Sequence, residues 1–193
     1  MPQGRVMCVM CEDDKDELHR RQDDIERTMG VMRRTQMGDL WLWPRVGFDS
    51  VLANFDHRDA RTICQFYIDL VAQVDRIRPS LLILDTVSDI YSGNESNRNT
   101  VGQFIKSVLS SIIRRFDCTI LFLAHPSQSG LESGSGSSGS TAWNNGVRTR
   151  WYLEKMKNGL PGQRVLTRKK SNYSASGDDQ NIELIWEKGV LTT

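Results

Sequence analysis

Three short apolar runs constrain the fold more than any other feature. They are RVMCVMC at 5–11, LLILD at 81–85 and CTILFLA at 118–124. None alternates apolar with polar residues. A strand with one wet face alternates, so these runs suit strands buried on both faces of a parallel sheet. Parallel strands need long crossovers, and the segments between them read as helices. Asp14 followed by Glu17 resembles a capping box; Leu18, Ile25 and Met29 share one stripe, and Gly30 ends it. Residues 58–77 hold Ile63, Phe66, Ile68, Leu70, Val71 and Val74, and Pro79 stops that helix. Residues 97–116 form a third helical pattern, striped by Val101, Phe104, Ile105, Val108, Leu109, Ile112 and Ile113. A short strand at 39–43 ends before Pro44. The alternation predicts an α/β fold over residues 1–125, with a parallel sheet flanked by helices.

Beyond His125 the character changes. SGLESGSGSSGST at 129–141 is almost wholly Ser and Gly. Such a tract builds no core, so residues 126–141 are expected to form a mobile loop, and a long loop inside a domain is usually functional. An interdomain linker is the alternative, but the following TAWNNGVRTRWYL looks integrated. Residues 142–193 read as β, with strands at 149–156, 163–171 and 182–187. Turns are expected at Asn158-Gly159 and Ser176-Gly177-Asp178. There is no internal repeat.

The 193 residues fit one domain. Lys plus Arg number 25 and Asp plus Glu 24, a net charge of +1. No global field marks a nucleic-acid binder, so any such contact needs a local patch. No apolar run is long enough to span a bilayer, and MPQGRVMC is no signal peptide. The expectation is a cytoplasmic chain without a membrane partner, its four cysteines reduced. Cys8 and Cys11 lie three apart on a strand and so face opposite ways; no second pair completes a zinc site. Cys64 and Cys118 read as core residues.

Glu12, Asp85 and His125 end the three buried strands. Parallel strands carry all three to one edge, the edge where such sheets bind ligands. An aspartate there suits a Mg²⁺-bound water beside a nucleotide. A neighbouring carboxylate suits orienting the attacking water, and a histidine suits sensing a γ-phosphate. Taken singly, each has a plainer reading: a cap, a charge on the helix dipole, a structural histidine. Arg148 and Arg150, two apart on a strand, share a face and reach either a neighbouring subunit's phosphate or solvent. Arg164, Arg168, Lys169 and Lys170 form a basic cluster for a nucleic-acid backbone or a neighbouring nucleotide, with Tyr173 nearby to stack on a base. Ordinary surface charge is the alternative. GSGSSGST at 134–141 is not a phosphate loop, because Ser140 stands where lysine is required.

Together these segments resemble the RecA-like P-loop ATPases of the RepA-type replicative helicase family, including phage and mobile-element relatives. VMCVMCEDD, LLILDTVSDIYSGNESNRNTV, ILFLAHPSQSG, GSGSSGSTAWNNGVRTRWYLE and KKSNYS carry the likeness, which covers residues 5–193. It implies a RecA-like sheet with a C-terminal antiparallel β extension, and ATP with Mg²⁺ as cofactors. Glu12 would activate the water, and Asp85, followed by Thr86, would hold the metal and nucleotide. His125 would sense the γ-phosphate. Arg150, with Arg148 beside it, would act as an arginine finger on the adjacent subunit. Ser135, Gly136 and Ser137 of the loop, with Lys169 and Lys170, would meet single-stranded DNA in a ring of subunits. Glu95 matches a recurrent acidic position of no derivable role.

Two departures stand out. No G-x-x-x-x-G-K-[ST] occurs, and relatives often carry two histidines where this chain has Ala124-His125. In the family the first strand and the phosphate loop precede the segment that begins here at Arg5. The expectation is therefore a Walker A-less portion, about 50 residues short of a complete core and ATPase-deficient alone. If the missing strand is central, its neighbours carry unpaired backbone groups. Two other readings fit the same residues. One is a non-catalytic module that donates Arg150 to a full-length ATPase partner. The other is a signalling or recombination ATPase, against which AHPSQ and GSTAWNNGVR favour the replicative type.

Overall fold

A computed structural model describes residues 4–30, 39–174 and 180–193. The turn expected at Ser176-Gly177-Asp178 lies outside the described residues. Four parallel strands build the main sheet in the order β2-β1-β5-β6: β1 (Val6–Met10), β2 (Leu40–Pro44), β5 (Leu81–Asp85) and β6 (Thr119–Phe122). β1 is buried on both faces, as its unbroken apolar run requires: Met7, Cys8 and Val9 are all inaccessible. β6 differs. Leu121 is 46% exposed and, just after the strand, Leu123 is 42% exposed. β6 is an edge strand, as is β2 at the other side, and it pairs only with β5 among the described residues, so its free edge and part of one face stay open.

α1 (Lys15–Met29) starts and stops where its caps dictate. The Asp14 carboxylate accepts the Glu17 N–H at 2.9 Å, and Gly30 turns left-handed at φ 64°. Only Leu18 of the expected stripe is buried; Ile25 and Met29 are exposed. α2 (Gln65–Ile77) begins later than the periodicity predicts. Residues ahead of it form a hairpin, β3 (Ala53–Phe55) with β4 (Arg61–Ile63). Asp56 closes that hairpin by accepting the N–H groups of Arg58 and Ala60 at 2.8 and 2.9 Å. The third helical pattern is one continuous run: α4 (Arg98–Gln103), a π-helical stretch at Phe104–Leu109, then α5 (Ser110–Phe116). Phe104, Val108 and Ile112 are fully buried along it. Among the described residues there are also short helices α3 (Val87–Ile90), α6 (Gln128–Glu132) and α7 (Thr141–Gly146).

The C-terminal segment forms a second sheet, antiparallel, in the order β10-β9-β8-β7. Its strands are β7 (Thr149–Lys155), β8 (Gln163–Ser171), β9 (Asn181–Glu187) and β10 (Val190–Thr192). Asn158, at φ 61°, makes the expected turn between β7 and β8. An aromatic cluster of Tyr91, Phe104, Phe122 and Trp143 seats α7 in the core of the α/β half. Among the described residues no helix is long and apolar enough to cross a membrane.

Candidate functional site

Register delivers the strand-end residues to one edge. Met10 of β1 lies beside Asp85 of β5, and Cys11 N–H donates to the Asp85 carbonyl at 2.7 Å. Leu123, just past β6, accepts the Val87 N–H at 2.8 Å. Glu12 and His125 therefore rise on either side of β5. Glu12 Oε1 and His125 Nε2 lie 3.3 Å apart, both open to solvent. Asp85 sits between the strands that carry them, half-buried. Burial raises its pKa, and the charges of Glu12 and Asp13 raise it further, against an opposing pull from Arg21. Arg21 itself is held by Asp13 at 2.7 Å and Glu17 at 2.8 Å. Thr86 is buried; its hydroxyl donates to Asp89 at 2.9 Å and lies 2.6 Å from Ser88 Oγ.

The direction at Asp85 has a stability consequence. A carboxyl whose folded pKa is raised favours the fold below its unfolded pKa and loses that contribution as pH rises through the folded pKa. At pH 7 the ionised Asp85 therefore opposes folding. Asp85→Asn is expected to raise Tm at pH 7, with the gain shrinking as the pH falls toward the ordinary carboxylate range. Thermal melts across that range test this, and a lower Tm for the variant at pH 7 would contradict it.

The Ser/Gly tract forms a second cluster and is densely hydrogen-bonded. Ser127 caps α6 through Gly130 N–H, while its own N–H and hydroxyl both donate to Ser137 O at 3.0 Å. Ser135 Oγ and Ser137 Oγ meet at 2.6 Å. Gly130 is required: a Cβ there would lie 2.0 Å from the Ser137 carbonyl. Glu95 fastens the far end. Its carboxylate accepts the Ser138 hydroxyl at 2.9 Å, and its carbonyl accepts Ser140 N–H at 2.8 Å. Ser140 Oγ then caps α7. This gives Glu95 a structural role, one that sequence spacing did not disclose.

The basic residues divide between surfaces. Arg150 is partly buried, which lowers its pKa. It donates to Asn144 Oδ1 at 2.9 Å and to the carbonyls of Ser135 and Gly136 at 3.0 and 3.1 Å. Lys169 reaches Gly134 O at 3.3 Å, and Lys170 reaches Asn144 O and Val147 O at 2.7 and 2.8 Å. Arg148 is exposed, with no side-chain hydrogen bond among the described residues. A β-bulge pairs Arg150 with Lys170 but Trp151 with Arg168. The extra residue breaks the period of two, so Lys170 lies with Arg150 on the side that meets α7 while Arg164 and Arg168 face away. A cavity of about 200 Å³ connects the strand-end cluster to the tract, lined by Ser88, Glu95, His125, Ser127 and Ser138.

Residues 2–130 match the family model of an AAA domain. The chain belongs to the AAA domain family. The matched region holds Glu12, Asp85, Glu95 and His125 of this AAA domain; the antiparallel sheet lies beyond it. No curated protein matches the chain. Among solved structures, the crystal structure of the RadB recombinase is similar. It shares 14% identity at a TM-score of 0.63, over 98% of this chain and 78% of that one. At that identity the likeness shows the fold: a RecA-like parallel sheet with helices, extended by an antiparallel sheet.

Proposed function

We propose that this AAA domain is the body of a DNA-linked RecA-like ATPase of the RepA-type replicative helicase kind. It works as a ring of subunits on single-stranded DNA in the cytoplasm. One observation carries the reading: Glu12, Asp85 and His125 stand together at the carboxyl edge of three adjacent parallel strands. The donors fit a nucleotide-bound Mg²⁺, which takes one or two carboxylates plus phosphate oxygens rather than an all-protein cage. Asp85 is a hard oxygen donor beside the negative charges of Glu12 and Asp13. Bound there, Mg²⁺ would neutralise phosphate charge.

The chain's own residues divide the remaining work. Asp85 would hold the metal, and Thr86 shapes the turn behind it. Glu12 accepts the proton of the attacking water, with His125 orienting its carboxylate at 3.3 Å. The cavity beside His125 leads to Ser138, giving a contact route from that edge to the tract. The phosphate grip comes from outside these residues, since the sequence has no G-x-x-x-x-G-K-[ST]. The open edge of β6 supports that reading, because it leaves room for another parallel strand.

The chain alone is expected to turn over no ATP. In a form that carries a phosphate loop, turnover is expected to rise with single-stranded DNA, and Glu12→Gln to lower kcat about 10²–10⁴-fold. An unchanged kcat in that variant would remove Glu12 from the chemistry. The missing lysine motif favours a second reading, a module that joins a full-length ATPase and donates Arg150 in trans. That role requires Arg150 to leave Ser135 and Gly136. Excess chain would then change the partner's rate; no change and no co-elution would dismiss it.

A further inference from the structure

The outer face of the antiparallel sheet has a composition that its inner face lacks. Cross-strand pairing puts Trp151, Leu153 and Lys155 of β7 on the same side as Arg168, Leu166 and Arg164 of β8. The same side continues through Ile182 and Leu184 to Trp186 of β9. These side chains are not packed away: Trp151 is 38% exposed, Ile182 37%, Leu153 46% and Trp186 53%. All three carboxylates of the described strands, Glu154, Glu183 and Glu187, fall on the opposite side with buried Tyr152 and Val190. The outer face thus combines two exposed indoles with three cations and no carboxylate from its strands.

The geometry points to this face as a binding platform for single-stranded nucleic acid. Indoles offer sequence-tolerant stacking surfaces to unpaired bases, and Arg and Lys neutralise the phosphates between them. Arg168 lies over the Trp151 ring, 6.0 Å from its centroid, so a cation stands beside this stacking surface. The backbone N–H of Trp186 donates to the carbonyl of Gly162, just before β8 and six positions from Arg168, so the two indoles mark opposite ends of the face. At about 3.4 Å per residue the separation along the strands is roughly 20 Å, enough for several nucleotides. A bare apolar interface would not need the cations, and a purely electrostatic contact would not need exposed indoles. The site differs from the tract contact expected at Ser135, Gly136, Ser137, Lys169 and Lys170. Both lysines there are spent on carbonyls. The inference deepens the single-stranded DNA part of the proposed function and rests on it.

The test is fluorescence anisotropy of labelled oligo(dT) and oligo(rU) with the whole chain at stated salt, alongside circular dichroism of each variant. Wild type is expected to bind. Trp151→Ala and Trp186→Ala should each weaken binding about tenfold, the loss typical of one stacked base. Arg164→Glu keeps the rings and should weaken binding while flattening its salt dependence. Equal effects on both oligomers identify a shared backbone-and-stacking mode; a loss confined to one identifies which nucleic acid the face holds. Binding by wild type that all three folded variants retain would overturn the platform while leaving DNA action intact. No binding by wild type would overturn the platform and the DNA reading together. A dimer in sedimentation that Trp186→Ala or Arg164→Glu dissolves would assign the face to a second copy instead, and would overturn the proposal.

Discussion

Trp143→Ala is expected to destabilise the chain by about 3–5 kcal/mol, a drop in Tm on the order of 10 °C. Trp143 comes from α7, directly after the Ser/Gly tract, yet its indole sits in the core at 6% exposure. It meets Tyr91 at 5.4 Å and 88°, Phe122 at 5.9 Å and 62°, and Phe104 at 6.2 Å and 71°. Edge-to-face pairs add about 0.5–1.5 kcal/mol each beyond the buried area. Alanine removes all three contacts and leaves a cavity among rings that cannot collapse into it. The indole N–H is buried without a hydrogen-bond partner among the described residues, a cost that the native residue carries. Trp143→Phe deletes that orphan and keeps much of the ring, so it should cost well under half as much. Equilibrium denaturation of the two variants separates packing from polarity. An alanine variant within 1 kcal/mol of wild type would mean that α7 is not anchored here. The same anchor explains why a tract whose one large apolar side chain, Leu131, is 57% exposed is still tied to the fold: Trp143 follows Ser140 by three residues.

The sequence made the sheet edge legible because strand burial and chain direction are both written in local pattern. β1, β5 and β6 are apolar runs with polar ends, and helices between them impose parallel pairing, so Glu12, Asp85 and His125 fall together. The Asp14 and Gly30 caps were equally readable, since each acts within four residues. Where reading failed, a non-local or off-period term decided the outcome. Ile63 fits the helical stripe of 65–77, but Asp56 captures two N–H groups ahead of it and diverts the chain into a hairpin. Ile25 and Met29 fit the first stripe and are left uncovered. CTILFLA reads as buried on both faces, and β6 is an edge strand. Glu95 and Ser138 are 43 positions apart, and nothing in either neighbourhood announces their bond. The bulge between Arg150 and Trp151 adds a single residue, yet it parts a contiguous basic run into two surfaces with different neighbours.

Arg150→Ala is expected to cost about 2–3 kcal/mol, and Arg150→Lys to recover less than half of it. Three acceptors converge on one guanidinium: Asn144 Oδ1 on Nε, and the carbonyls of Ser135 and Gly136 on Nη1. Hydrogen bonds to a charged donor contribute about 1.5–3 kcal/mol, and deleting the donor strands its acceptors in a partly buried site. Lysine keeps the charge, but a point donor does not span the angle between the Asn144 side and the tract side. The loss should be local. Gly136 packs so closely on Tyr152 that any added Cβ would meet the ring at 2.3 Å, and Arg150 holds the Ser135 and Gly136 carbonyls beside that contact. Hydrogen exchange should therefore accelerate at residues 130–140 in Arg150→Ala, with β1 and β5 still protected at the wild-type level. Uniform acceleration across the sheet would show that Arg150 supports the whole fold rather than the tract. Combining Arg150→Ala with Trp143→Ala supplies the decisive comparison. If both side chains fasten one element, the second substitution should cost clearly less than it does alone, because the element has already been released.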